Sequence, residues 1–137
     1  MKVVLDANVV VAGAGWRGEP YLCLAAFARR RILAYASETI LDEVRRTAER
    51  LRARGRVAHD PGPVLSWYCD AVRLVEPAPL GKRRSRDFKD DPYLACALAA
   101  EAKMIVSFDG DLLDLEKPFG IEICTPRALL RRLRQPL

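Results

Sequence analysis

Short β-branched or aromatic runs alternate along this chain with helical segments, and that alternation constrains its fold more than any other feature. VVL (3–5), ILAYA (32–36), VRLVE (72–76), MIVSF (104–108) and IEIC (121–124) read as strands bounded by turn signals. Helical patterns fall between them at roughly 19–31, 38–54, 62–71, 91–103 and 126–134, with a brief helical turn near 111–115. Such alternation predicts an α/β fold, a mostly parallel sheet with helices on both faces. Pro and Gly concentrate at 55–63 and 77–81, which read as loops, and the 137 residues suit one domain, 1–137, with an ordinary core.

Four acids stand in apolar or small-residue surroundings. Asp6 ends VVLD and is followed by Val9-Val10-Val11, Glu43 lies early in SETILDEVRRTAERLR, Asp91 opens DPYLACALAAEAK, and Asp109 closes MIVSFD. In right-handed βαβ units each strand ends, and the next helix begins, at the carboxyl edge of the sheet. Asp6 and Asp109 terminate strands, Asp91 starts a helix, and Glu43 lies in the first two turns of one. All four therefore belong to the edge where open α/β sheets place ligands. Carboxylates at the edge of a core are costly unless paired or bound to a cation, so their convergence points to a divalent metal.

Each acid also has a structural reading. Asp91 before Pro92 is the arrangement of an N-cap with proline at the first helical position. Asp109 before Gly110 suits a turn or cap, Glu43 a surface acid, and Asp6 a cap after the first strand. Helical phase separates Glu43 from Asp42. Ile40, Leu41, Val44, Ala48 and Leu51 form an apolar stripe that Glu43 flanks, whereas Asp42 points toward solvent near the helix N-terminus.

Net charge is +5, from 23 basic and 18 acidic residues, and the basic residues cluster at 29–31, 45–56, 82–86 and 127–134. Basic clusters around an acidic centre suggest a polyanionic partner. The loop-like GKRRSR run, with Lys82, Arg83, Arg84 and Arg86, is the preferred contact; the helical clusters read equally well as solvated faces. No apolar stretch approaches the ~18 residues needed to span a bilayer, so no membrane association is expected. Cys23, Cys69, Cys96 and Cys124 are scattered and form no CxxC pair, and no signal peptide is apparent, so reduced thiols in a cytoplasmic protein are expected. The only histidine, His59, lies in a loop-like stretch, which argues against zinc. Val64, Leu65, Trp67 and Tyr68 read equally as core or as an exposed apolar face.

LDANVVVAG, SETILDEV and DFKDDPYLACALAAEAKMIVSFDGDLL together resemble the PIN-domain nucleases, in particular the small bacterial (VapC-like) toxin components of toxin–antitoxin systems. The resemblance runs from residue 3 to about residue 125. It implies a three-layer fold on a five-stranded parallel sheet of order 3-2-1-4-5, with the first and fourth strands adjacent and Asp6 beside Asp109. Asp6 matches the family's first acid, Glu43 its helical acid, Asp91 the acid of D-x-x-L-A-x-A, and Asp109 that of T-x-D-x-D-L, with Ser107 in place of the threonine. Asn8 takes the small polar position after the first acid. The register around Asp90 and Asp91 allows either as ligand, and Asp87 and Asp111 are further supporting candidates.

Hard oxygen ligands without histidine or thiolate favour Mg²⁺, with Mn²⁺ as the other fit. On this reading Asp6 is the central ligand, Asp91 and Asp109 complete the shell, and Glu43 binds a second ion or orients the attacking water. The resemblance implies cleavage of single-stranded RNA, a cognate antitoxin and a homodimer; a free-standing nuclease, or a non-catalytic RNA- or partner-binding module on the same fold, is the alternative. A haloacid-dehalogenase-type phosphatase would need a second Asp where Asn8 stands. A phospho-receiver domain would need an Asp after the third strand, where Glu76-Pro77 stands.

Overall fold

A computed structural model describes residues 1–80 and 91–134. Along the chain run β1 (Lys2–Leu5), α1 (Ala7–Gly15), α2 (Glu19–Ala28), β2 (Leu33–Ala36), α3 (Glu38–Arg54), α4 (Gly62–Ala71) and β3 (Arg73–Leu74). Then follow α5 (Asp91–Ala100), β4 (Met104–Val106), α6 (Gly110–Leu113), a 3₁₀ turn at Pro118–Gly120, β5 (Glu122–Cys124) and α7 (Pro126–Arg134). The sheet has the order β3-β2-β1-β4-β5, and every neighbouring pair is parallel. β1 is central: Val4 pairs with Tyr35 on one side and Ile105 on the other. Val3, Val4, Leu5, Ala34, Ile105 and Val106 are wholly buried, as strands covered on both faces must be. This is the expected three-layer α/β architecture, with the expected strand order.

α1 is the element the sequence does not announce. ANVVVAGAG combines three β-branched valines with two glycines, all weak helix formers. Its apolar residues follow no helical period, because the helix is buried nearly all round: Ala7, Val9, Val10, Val11, Gly13, Ala14 and Gly15 are buried. Packing against α2, α3 and α4, together with the Asp6 cap, outweighs propensity. Gly13 permits the approach of α2, since a Cβ there would lie 2.7 Å from Leu24 Cδ1 and 2.9 Å from the Pro20 carbonyl oxygen.

α2 and α5 stop three residues short of their expected ends. Arg30 (φ 60°) and Glu101 (φ 55°) take left-handed conformations. The following amides close back, Arg31 N–H onto the Ala26 carbonyl and Ala102 N–H onto the Ala97 carbonyl. These are glycine-type helix terminations without glycine, so composition carries no mark of them. β3 is likewise reduced from 72–76 to two exposed residues, although Val75 N–H still reaches the Ala36 carbonyl.

The α4 aromatics divide between the two readings. Leu65 and Tyr68 are core, Val64 is partly buried, and Trp67 stays 36% exposed with its ring 5.5 Å from that of Phe27. Cys23, Cys96 and Cys124 are buried free thiols and Cys69 is half-buried; burial pushes Cys23 and Cys96 up to about 12 and Cys124 to about 11. They are unreactive packing residues at neutral pH. No helix among the described residues is long and apolar enough to cross a membrane.

Candidate active site at the carboxyl edge of the sheet

Asp6 leaves β1 and caps α1, with only 4% of its surface exposed. Its Oδ1 accepts from the Asn8 amide at 3.3 Å, and its Oδ2 accepts from the Ser107 hydroxyl at 2.6 Å. Ser107 directly follows β4, the sheet neighbour of β1, and is itself wholly buried. Its oxygen accepts the Asp109 amide at 2.9 Å, so one hydroxyl ties Asp6 to the loop that presents Asp109. Asp109 in turn caps α6 and accepts from the Asp111 amide at 2.9 Å. The capping roles and the shared edge thus coexist: both acids are held in place by the helix ends they cap.

The electrostatics single out Asp6. Burial pushes its carboxyl above the usual carboxylate range, and the Asp109 charge pushes it further. Hydrogen bonds from Ser107, Asn8 and Tyr93 pull it partly back. A buried carboxylate whose charged form is this unfavourable accommodates a cation readily.

Tyr93 was not among the residues singled out from sequence. It lies one residue beyond Pro92 in the first turn of α5, which spans β1, β2 and β4. Its phenol accepts the Ala7 amide at 3.2 Å and donates to Asp6. Burial, then the Asp6 charge and more weakly the Glu43 charge, keep it protonated far above neutral pH. Tyr93 is therefore a fixed donor to Asp6. Its only trace in the sequence is a polar-tipped aromatic two residues after Asp91.

Glu43 and Asp42 separate as helical phase predicts. Ile40, Leu41, Val44 and Ala48 are buried beneath α3. The Asp42 side chain is 57% exposed and pairs with Arg45 at 2.9 Å; Glu43 is less exposed and pairs with Arg46 at 3.1 Å. Asp91 opens α5 and is buried. Asn8 is exposed on the first turn of α1, and Asp111 is half-buried on α6. Lys82, Arg83, Arg84, Arg86, Asp87 and Asp90 lie outside the described residues. Among the described residues no group of three or more His, Cys, Asp or Glu side chains is arranged to hold a metal ion. The linked unit is the Asp6–Ser107–Asp109 chain, to which Tyr93 adds a donor on Asp6.

The profile of the PIN domain matches residues 2–111, whereas no curated protein sequence matches significantly. Two crystal structures are similar in fold. PAE2754 from Pyrobaculum aerophilum superposes with a TM-score of 0.65 at 19% identity, over 97% of this chain and 89% of that one. VapBC2 from Rickettsia felis, bound to a DNA fragment from their promoter, gives 0.58 at 12% identity, over 90% of this chain and 97% of that one. With the profile spanning both the Asp6 turn and the Asp109 cap, the chain belongs to the PIN-domain family of nucleases.

Proposed function

We propose that the protein is a metal-dependent endoribonuclease that cleaves single-stranded RNA, acting as the toxin of a toxin–antitoxin pair. The observation that carries this reading is Asp6, a buried carboxylate at the switch point of a parallel sheet, wired through Ser107 to a second acid. A hard divalent ion, Mg²⁺ or Mn²⁺, suits this all-oxygen donor set, and Asp6, Asp91 and Asp109 would hold it with Glu43 alongside. Once bound it supplies Lewis acidity and a more acidic water for phosphodiester hydrolysis.

The chain's own groups have separable tasks. Ser107 and the Asn8 amide fix the rotamer of Asp6, and Tyr93 keeps a proton directed at the same carboxylate. Arg46 holds Glu43 against α3 and limits where that carboxylate can reach for water or a second ion. Asp90 is the alternative to Asp91 in the ligand set, while Asp87 and Asp111 support it. Lys82, Arg83, Arg84 and Arg86 supply phosphate contacts. The fold likeness to VapBC2 supports an antitoxin partner, and partly exposed Trp67 supports a homodimer contact.

The test is cleavage of an unstructured RNA with Mg²⁺ or Mn²⁺ and with EDTA. EDTA should abolish cleavage, and Asp6→Asn should lower it on the order of a hundredfold or more, since it removes a charged ligand at the reacting centre. Metal-independent RNA binding without cleavage would instead identify a non-catalytic binding module.

A further inference from the structure

The arginines of α3 are not equivalent. Arg45, Arg46 and Arg52 each pair with a carboxylate, from Asp42, Glu43 and Asp60 respectively. Among the described residues Arg50 and Arg54 meet none; Arg50 contacts only the Thr47 hydroxyl, at 3.0 Å. These two line a cleft of ≈ 270 Å³ between α1 and α3. Asn8, whose amide holds Asp6, also lines it, as does Trp16, which caps the far end of α1 and remains 40% exposed. Leu51, Val11 and Ala12 supply apolar surface between them. From Glu43 to Arg54 the helix advances roughly 16 Å at about 1.5 Å per residue.

A solvated helix face explains exposed arginines, but not a large exposed aromatic sharing one cleft with the two that meet no carboxylate among the described residues. Unpaired cations that track a backbone, beside an aromatic face that stacks a base, are the means by which proteins hold single strands. We propose that the α1–α3 cleft is the path by which single-stranded RNA runs away from the carboxylates, with phosphates on Arg50 and Arg54 and a base stacked on Trp16. This deepens the nuclease reading and rests on it for the strand's other end.

Binding of fluorescein-labelled oligo(U) in EDTA, on an Asp6→Asn background, tests the path without cleavage. Arg50→Ala with Arg54→Ala should weaken binding and flatten the log K against log salt slope by about 1.4, from ~0.7 per phosphate contact. Trp16→Ala should weaken it on the order of tenfold, with recovery in Trp16→Phe. All three side chains are exposed, and an unchanged far-UV melting midpoint verifies the fold. With catalytic residues intact and Mg²⁺ present, the Arg50/Arg54 variant should raise KM and leave kcat near wild type. Unchanged affinity and salt slope in the double variant would overturn the path, as would duplex RNA or polyglutamate displacing oligo(U) as well as single strands do. If KM is also unchanged while wild type still cleaves, the path falls and the nuclease reading stands. Binding that depends on Arg50, Arg54 and Trp16, in a wild type that cleaves no RNA with any divalent ion, retains the path and removes the nuclease reading.

Discussion

Replacing Asp6 by Asn changes charge at almost constant shape, and its effect on stability can be worked through without a substrate. Asn is in general about as good an N-cap as Asp, but Asp6 uses one oxygen for the α1 cap bond from Asn8 and the other for Ser107. The amide offers one acceptor where the carboxylate offers two. It should retain the 2.6 Å bond from Ser107 and give up the longer 3.3 Å bond from the Asn8 amide. That loss is worth about 1 kcal/mol. Against it stands relief of a charge that burial and Asp109 disfavour. In EDTA at neutral pH the relief should win, giving Asp6→Asn the higher melting midpoint.

The sign with pH follows from the raised Asp6 value. Its ionised form weakens the fold, so that penalty is present above the folded-state pKa and disappears as pH falls through it. The advantage of Asp6→Asn should therefore shrink on acidification, because protonated Asp resembles Asn. Divalent metal acts oppositely. At tenfold saturation it adds about 1.4 kcal/mol to wild type by mass action, a rise of roughly 2–5 °C in midpoint, with little gain in the mutant. Scanning fluorimetry in EDTA, Mg²⁺ and Mn²⁺ across mildly acidic to neutral pH reads all of this. Identical metal responses in the two proteins, or an Asp6→Asn deficit in EDTA that does not change with pH, would refute the shared-site reasoning.

Glu43→Gln should lower RNA cleavage markedly while Asp42→Asn stays near wild type; equal losses in a matched assay would remove the role assigned to helical phase. Neutralising Lys82, Arg83, Arg84 and Arg86 together should weaken RNA binding about equally across sequences and flatten its salt dependence, and an unchanged slope in filter binding would take the 82–86 run out of the interface. Tyr68 is wholly buried and its hydroxyl has no hydrogen-bond partner among the described residues. Tyr68→Phe should therefore raise stability by about 1 kcal/mol, or a few degrees in a melt, and a lower midpoint would show that the hydroxyl is satisfied. Gly13→Ala should cost about 1–3 kcal/mol because its Cβ meets the fixed Pro20 carbonyl. Gly15→Ala should cost less, since its nearest neighbour is a Val57 methyl at 3.3 Å, and the reverse order in urea melts would contradict the packing argument.

What the sequence determined by itself is what depends on neighbours along the chain. β-branched runs mark the strands, and the stripe from Ile40 to Ala48 marks α3 and separates Glu43 from Asp42. The placement of four acids at strand ends and helix starts follows from connection geometry, and the strand order was accessible through family resemblance. Tertiary structure alone decided what depends on neighbours across space. α1 is helical because three other helices bury a segment with poor propensity. α2 and α5 end where Arg30 and Glu101 turn left-handed, which their side chains do not signal. Ser107 joins Asp6 to Asp109, and Tyr93 reaches across from α5, because β1 and β4 are sheet neighbours although about a hundred residues separate them. The same holds for the arginines of α3. The Asp42–Arg45 and Glu43–Arg46 pairs are local to the helix, but only the approach of α1 sets Arg50 and Arg54 in a cleft with Trp16.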